Sequence, residues 1–190
     1  MSNTLQAAAL FLINTLFDLY LFILVIRIIL VYVGANYFDP ITQFIVKFTD
    51  FVVKPLRRFL PNIKRFELSS VVLLLVLQLI KFVIITNLAI GMPSITSLVL
   101  LAVGDTLKLI IQTFFYAILL QVILSWVQPY SPVSRVLNQF TSPIMNPLHR
   151  IIPTVGGMDI TPIPALILLQ LLNIIIVNPI MSLGLGVALA

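Results

Sequence analysis

The chain has 190 residues, of which 61% are hydrophobic and only 9% are charged, whereas soluble domains average roughly 25% charged residues. A soluble domain of this length could not bury so much apolar surface, so composition predicts an all-α protein with lipid as its solvent. The absence of cysteine excludes disulfides and thiolate metal sites, and the net charge of +5, concentrated in loops, indicates lipid headgroup contact more than nucleic-acid binding.

Four apolar runs are long enough to cross a bilayer as helices. We expect Gly104-Asp105 to interrupt the longest run, so that residues 94–103 form either a re-entrant segment or an extension of the third span. Asn178-Pro179 is expected to end or kink the fourth span, because proline cannot donate to the helical hydrogen-bond ladder. The predicted spans are residues 7–33, about 68–90, about 104–127 and about 161–181.

A pattern that occurs twice, 92 residues apart, indicates a duplicated unit. Pro55-Leu56-Arg57-Arg58-Phe59-Leu60-Pro61 corresponds to Pro147-Leu148-His149-Arg150-Ile151-Ile152-Pro153, and the same offset carries Glu67 onto Asp159. Most matched residues are not the common Leu, Ile and Val, so chance is a poor explanation. The predicted repeats are residues 1–92 and residues 93–190.

Each repeat also carries a shorter helical pattern between its two spans. Asp39 and Ser131 can cap helices that begin at Pro40 and Pro132. Four apolar positions then recur at helical spacing, which is typical of an amphipathic helix in the headgroup plane. These positions are Ile41, Phe44, Ile45 and Phe48 in the first copy and Val133, Val136, Leu137 and Phe140 in the second. The interfacial helices are predicted at about 40–53 and about 132–141.

Most basic side chains lie in two segments, 34–67 and 128–160, while the 91–103 connection and both termini carry none. The positive-inside rule therefore places both basic segments in the cytoplasm and both termini on the opposite side. Two spans per unit make the halves parallel repeats, related by an axis along the membrane normal. The predicted fold is four transmembrane helices arranged as two parallel-repeat helical hairpins, each with a cytoplasmic-side amphipathic interfacial helix.

Six polar side chains inside the predicted spans form either a polar path for an ion or cross-links within a helical bundle. An ionisable group there costs about 2.5–3.5 kcal/mol, so it favours a partner. Asp18 and Lys81 fall at nearly the same depth in the membrane, and we predict a contact between them, direct or through water. Because the lysine neutralises the carboxylate that a cation would need, the pair favours a cross-link over an ion path. We further expect Asp105 to pair with Lys108, and Arg27 to extend to the cytoplasmic surface. The six side chains are Asp18, Lys81, Gln78, Gln112, Gln170 and Asn173.

The two basic segments suggest a second kind of site. Arg58 with Glu67, and Arg150 with Asp159, are nine residues apart in the two copies, and an ion pair there would fix how the interfacial helix returns to the bilayer. The alternative is that the basic residues, Arg57 included, bind anionic lipid headgroups at about 1 kcal/mol each. Both interpretations stay open in the first copy, and the clamp is favoured in the second, which has fewer charges. The tail pattern Ser182-x-x-x-Gly186-x-x-x-Ala190 is a weaker candidate for helix packing.

Several motifs resemble one family. They are Ile29-Leu30-x-Tyr32, Ile123-Leu124-Ser125-Trp126, both Pro-Leu-x-Arg-x-x-Pro stretches and Gly156-Gly157-x-Asp159-Ile160-Thr161-Pro162. Over nearly its whole length the chain resembles the YggT family of small bacterial membrane proteins. That resemblance implies an inner (plasma) membrane protein linked to osmotic tolerance and potassium handling, with other members linked to division or cofactor-assembly machinery.

No catalytic signature is present: P-loop, HExxH and GxSxG motifs are missing, and the single histidine, His149, lies in a basic loop. We therefore expect a non-enzymatic protein, without cofactor or metal, that supports osmotic stress tolerance by assisting potassium or other ion uptake or by scaffolding a membrane complex. One alternative is an oligomeric ion channel or transporter, and another is an assembly factor for membrane or division proteins. The expected partners are anionic lipid headgroups at the basic loops and, as candidates, another membrane protein or a second copy; nucleic acid is not expected.

Overall fold

A computed structural model describes residues 2–60, 62, 66–89, 91, 94–153 and 159–189. Parts of several predicted motifs lie outside these residues, namely Pro61, Lys64, Arg65, Ile90, Met92, Pro93, Gly156, Gly157 and Ala190. The helices, in chain order, are α1 (Ser2–Val33), α2 (Pro40–Arg57), α3 (Leu68–Ala89), α4 (Ile95–Val127), α5 (Pro132–His149), α6 (Pro162–Leu172) and α7 (Asn178–Leu189), with a π-helical turn at Asn173–Val177.

Within the described residues, four helical stretches are long and apolar enough to cross a membrane: α1, α3, α4 and the continuous stretch from α6 through α7. Large apolar side chains such as Phe11, Leu16 and Ile175 remain exposed along them. Such surfaces are stable only in lipid or against another protein. The chain is therefore a multi-pass membrane protein of helices, as composition predicts.

The helices pack around two clusters of buried apolar side chains. The larger joins Leu24 and Leu30 of α1 to Ile45 of α2, Leu74 of α3 and Phe140 of α5. The smaller joins Ile118, Met145, Ala165 and Leu169 at the contacts of α4, α5 and α6. The two short helices α2 and α5 thus pack against the same end of the bundle.

Helices α2 and α5 begin at Pro40 and Pro132, as expected, but extend beyond the predicted ends at 53 and 141. The Ser131 hydroxyl accepts a hydrogen bond from Ser134 N at 3.1 Å, whereas Asp39 makes no side-chain cap, so the cap prediction is right only for the second helix. The buried face of α2 consists of Thr42, Ile45, Thr49 and Val53.

The third span is longer than predicted, because α4 passes through Gly104 without a break. A helix-interior glycine costs only about 1 kcal/mol relative to alanine, so it need not end a helix. Gly104 instead permits close packing, since a Cβ there would lie 2.7 Å from Met181 Sδ. Residues 95–103 therefore extend the third span, and an interruption at Gly104-Asp105 is the wrong prediction.

The fourth span does not end at Asn178-Pro179 either. The π-helical turn Asn173–Val177 precedes this site, and Asn178 N donates to Asn173 O within it. Pro179 lacks an N–H and its ring crowds the carbonyl four residues earlier in an ordinary α-helix. A local π-helical turn is one recognised way to absorb such a defect, so the helix continues to Leu189.

Candidate functional site

The Arg27 side chain is the centre of a buried ion network between α1, α2 and the start of α3. It is only 1% exposed. Its Nε and Nη2 donate to Glu67 Oε2 and Oε1 at 2.7 and 2.9 Å, the bidentate arrangement that a planar guanidinium favours. Its Nη1 lies 2.8 Å from Asp50 Oδ1, 2.7 Å from Thr49 Oγ1 and 3.2 Å from Val46 O. The expectation that Arg27 extends to the surface is therefore wrong.

Glu67 completes this network, and its side chain is fully buried. Ser70 Oγ donates to Glu67 Oε2 at 2.6 Å, and Arg57 Nη2 donates to Oε1. Burial alone would raise the pKa of the Glu67 carboxyl, but hydrogen bonds from Arg27, Ser70 and Arg57 lower it from 4.5 to about 2. Burial would likewise raise the pKa of the Asp50 carboxyl, but hydrogen bonds from Lys54 and Arg27 lower it below its usual value. Both acids are therefore carboxylates at neutral pH. We call Arg27, Thr49, Asp50, Arg57, Glu67 and Ser70 the Arg27 network.

The predicted pairs of Arg58 with Glu67 and of Arg150 with Asp159 are wrong, because in each case the residue before the arginine makes the contact. Glu67 pairs with Arg57 instead of Arg58, and Asp159 pairs with His149 instead of Arg150, at 2.9 Å between His149 Nε2 and Asp159 Oδ2. Burial would raise the pKa of Asp159, and hydrogen bonds from Thr161 and His149 lower it. Arg58 and Arg150 occupy the same place in the two Pro-Leu-x-Arg-x-x-Pro stretches, whereas the differing residues before them, Arg57 and His149, make the contacts. Each contacting residue lies ten residues before its acid, and this spacing is the sequence signal that predicts the pairs.

A second ion cluster lies inside the spans. Lys81 Nζ lies 2.5 Å from Asp18 Oδ1, so the predicted contact of these two residues is present. The same Nζ lies 2.7 Å from Asp105 Oδ2, so Asp105 pairs with Lys81 and not with Lys108 as expected. The Lys81 side chain is 5% exposed and that of Asp18 is 52% exposed. We call Asp18, Lys81 and Asp105 the Lys81 cluster; with all three ionised it carries one excess negative charge.

The other predicted intramembrane side chains do not converge on one place. Gln78 is fully buried one helical turn from Lys81, and its amide O and N have no hydrogen-bond partner among the described residues. Asn173, inside the π-helical turn, also buries an Oδ1 that has no hydrogen-bond partner in the described part of the chain. Gln112 is partly buried, and Gln170 is exposed beside an apolar groove on α4 and α6. Among the described residues, no group of three potential metal ligands forms a metal site.

Comparison with known proteins gives consistent matches over most of the chain. A family model described as CCB3/YggT matches residues 6–88 and 100–180. The uncharacterized protein PA0392 of Pseudomonas aeruginosa is 34% identical over 178 residues, which cover 92% of this chain and 90% of that protein. An uncharacterized protein encoded in the proC 3′ region of Vibrio alginolyticus is 38% identical over 176 residues, covering 90% and 95%.

The uncharacterized protein YggT of Escherichia coli K12 is 32% identical over 164 residues, which cover 86% of each chain. No solved structure gives a significant match.

Proposed function

The chain belongs to the CCB3/YggT family, and we propose that it is a non-enzymatic scaffold of the bacterial inner membrane. The observation that carries this proposal is the Arg27 network. It uses the buried carboxylate of Glu67, the partly buried carboxylate of Asp50 and a buried guanidinium to hold α2 against α1 and α3. Charges paired in this way are suited to fixing the geometry of packed helices. The role in osmotic stress tolerance comes from the resemblance to YggT proteins, and potassium uptake would be assisted through a bound partner.

The face of α2 that this network presents outward supports a role in binding. Phe44, Phe48 and Phe51 follow each other at helical spacing and are 66%, 50% and 89% exposed. We call these three the α2 phenylalanine stripe. Lys47 and Lys54 are exposed on the same helix. A short helix with exposed aromatic and basic side chains is suited to the membrane interface, where the rings enter the lipid and the ammonium groups meet anionic headgroups.

The proposed topology follows from the charges. Both basic segments lie in the cytoplasm and both termini on the other side, so that α2 and α5 share the inner surface of the membrane. The packing of α2 and α5 at one end of the bundle is what two parallel repeats require, and the family model matches in two segments of similar length. The partner is anionic lipid together with another membrane protein or a second copy.

Growth of a deletion strain after osmotic upshift tests the scaffold. A gene encoding Phe44→Ala with Phe51→Ala should fail to restore growth, whereas Asp18→Asn should restore it. Immunoblots of the membrane fraction serve as a control for equal abundance. If Asp18→Asn fails and the double phenylalanine variant succeeds at equal abundance, the scaffold proposal is wrong.

The Lys81 cluster favours a second candidate function, an ion path. It holds two carboxylates for one ammonium, and one turn away lies the Gln78 amide, which has no hydrogen-bond partner among the described residues. A cation or a proton would therefore find acceptors there. Purified protein in liposomes should then carry a potassium flux that Asp18→Asn abolishes. A complete lack of flux in vesicles that contain correctly folded protein would reject this candidate.

A further inference from the structure

A half-open cavity of about 370 Å³ lies between the end of α4, the helix α5 and the start of the fourth span. Clefts for small ligands commonly have about 300–1,000 Å³. Most of the lining residues are polar, among them Gln121, Ser125, Asn138, Asn146, His149 and Asp159. The His149 and Asp159 side chains are 40% and 41% exposed, so the cavity can be reached from outside the protein.

The corresponding place in the first half is filled by the Arg27 side chain. In the first half, Arg27 Nη1 lies 2.7 Å from the buried hydroxyl of Thr49. In the second half, the buried hydroxyl of Thr141, 92 residues later, donates to Gln121 Oε1 at 2.7 Å. The pair of His149 and Asp159 likewise takes the place of the pair of Arg57 and Glu67. Gln121 lies 94 residues after Arg27 and takes its place beside this threonine, but the Gln121 side chain is shorter and uncharged.

The substitution leaves polar side chains around an open space. Asp159 is a carboxylate at neutral pH, and Gln121, Asn138, Asn146 and Ser125 line the same cavity. Amide and hydroxyl side chains can each offer an acceptor oxygen. A guanidinium group is planar, offers five N–H donors and accepts nothing, so it suits a site that combines one carboxylate with side chains able to accept hydrogen bonds. In the first half, the guanidinium group of Arg27 itself occupies the position between the threonine and the carboxylate.

We propose that this cavity binds a guanidinium group from outside the chain, either the arginine side chain of a partner protein or a small guanidinium compound. His149 then keeps Asp159 in position at the mouth of the site, and Gln121, which accepts a hydrogen bond from Thr141, forms part of its inner wall. The site goes beyond the proposed scaffolding role and does not depend on it, because α2 and its phenylalanine stripe form no part of its lining.

Thermal unfolding of the purified chain in nanodiscs, followed by far-UV circular dichroism, tests the proposal. Methylguanidinium chloride should raise the Tm in a saturable way, by about 3 °C at a concentration tenfold above Kd. Methylammonium chloride at equal ionic strength has the same charge without the planar donors and should not. A short peptide with one arginine, compared with its lysine analogue, distinguishes the two sources of the guanidinium group. If the peptide reaches half of its maximal Tm shift at a concentration at least tenfold below that of methylguanidinium, the ligand is a partner's arginine. Otherwise the ligand is a small guanidinium compound.

Three variants keep the result interpretable. Gln121→Arg supplies an internal guanidinium, so it should raise the Tm without ligand and abolish the response. Asp159→Asn should abolish the response while the helical signal persists. Gln139→Arg, an exposed residue of α5 outside the cavity, makes the same chemical change and should respond like the original chain. The proposal is overturned if the original chain shows no saturable response, or if Gln121→Arg responds as the original chain does.

Discussion

Replacing Glu67 by glutamine tests the physical basis of the Arg27 network. Glu67 is the carboxylate on which Arg27, Arg57 and Ser70 converge, and its side chain has no exposed surface. Glutamine has nearly the same shape but no charge and one acceptor oxygen fewer. The buried guanidinium of Arg27 would then keep Asp50 as its only carboxylate partner among the described residues.

The magnitude follows from the pKa of Glu67. Its fall from 4.5 to about 2 on folding corresponds, at about 1.36 kcal/mol per pH unit, to about 3 kcal/mol of stability at neutral pH. Breaking one partner of a buried pair in other proteins costs a similar 3–5 kcal/mol. Because the folded-state pKa is lowered, this stability is fully present above pH 4.5 and is lost as the pH falls towards 2. The Glu67→Gln variant lacks the titrating group and so lacks this particular loss.

Urea unfolding in detergent micelles, monitored by circular dichroism between pH 7 and pH 2, measures both effects. At pH 7 we expect Glu67→Gln to lower the free energy of unfolding by about 3 kcal/mol, with the difference shrinking between pH 4.5 and pH 2. Lys54→Gln is the matched control, because Lys54 is 70% exposed in its pair with Asp50 and should contribute below about 1 kcal/mol. A Glu67→Gln variant within 1 kcal/mol of the original chain at pH 7 would refute the reasoning.

Three further predictions concern the spans and the topology. Lys81→Met leaves two intramembrane carboxylates without their ammonium, so it should lower the free energy of unfolding by about 2–3 kcal/mol in the same assay; no loss would show that the cluster is not a cross-link. Gly184→Leu should lower the free energy of unfolding by about 1–3 kcal/mol, because a Cβ there would lie 3.0 Å from a leucine of α4. Gly186→Leu should change this free energy little, because a Cβ there would meet no described atom within 4 Å. Equal losses in the two variants would contradict this packing. Lys47→Cys and Gln139→Cys, introduced singly into a chain without cysteine, should both react with an impermeant maleimide only from the cytoplasmic side, and labelling from opposite sides would reject the parallel topology.

The small residues near the end of the chain pack against α4 at a position that the predicted tail pattern does not contain. Ser182 and Gly186 have small side chains at the right separation, but the glycine that packs closely is Gly184, against α4. Ser97 Oγ donates to Gly184 O at 2.9 Å at the same contact. Sequence spacing alone favoured simple terminal composition over a packing seam at Ser182 and Gly186, whereas the position of α4 decided that Gly184 is the glycine in close contact.

The sequence by itself determined the class of the protein, the number of apolar runs and the start of both short helices, because hydropathy, periodicity and proline act locally. It also placed Asp18 and Lys81 at one depth, since that needs only the lengths of two spans. The tertiary structure alone decided which partner each charge takes, as when Lys81 also gained Asp105 and when Arg57 in place of Arg58 reached Glu67. Such choices depend on the relative rotation of packed helices, and a shift of one residue turns a side chain by about 100° around a helix axis.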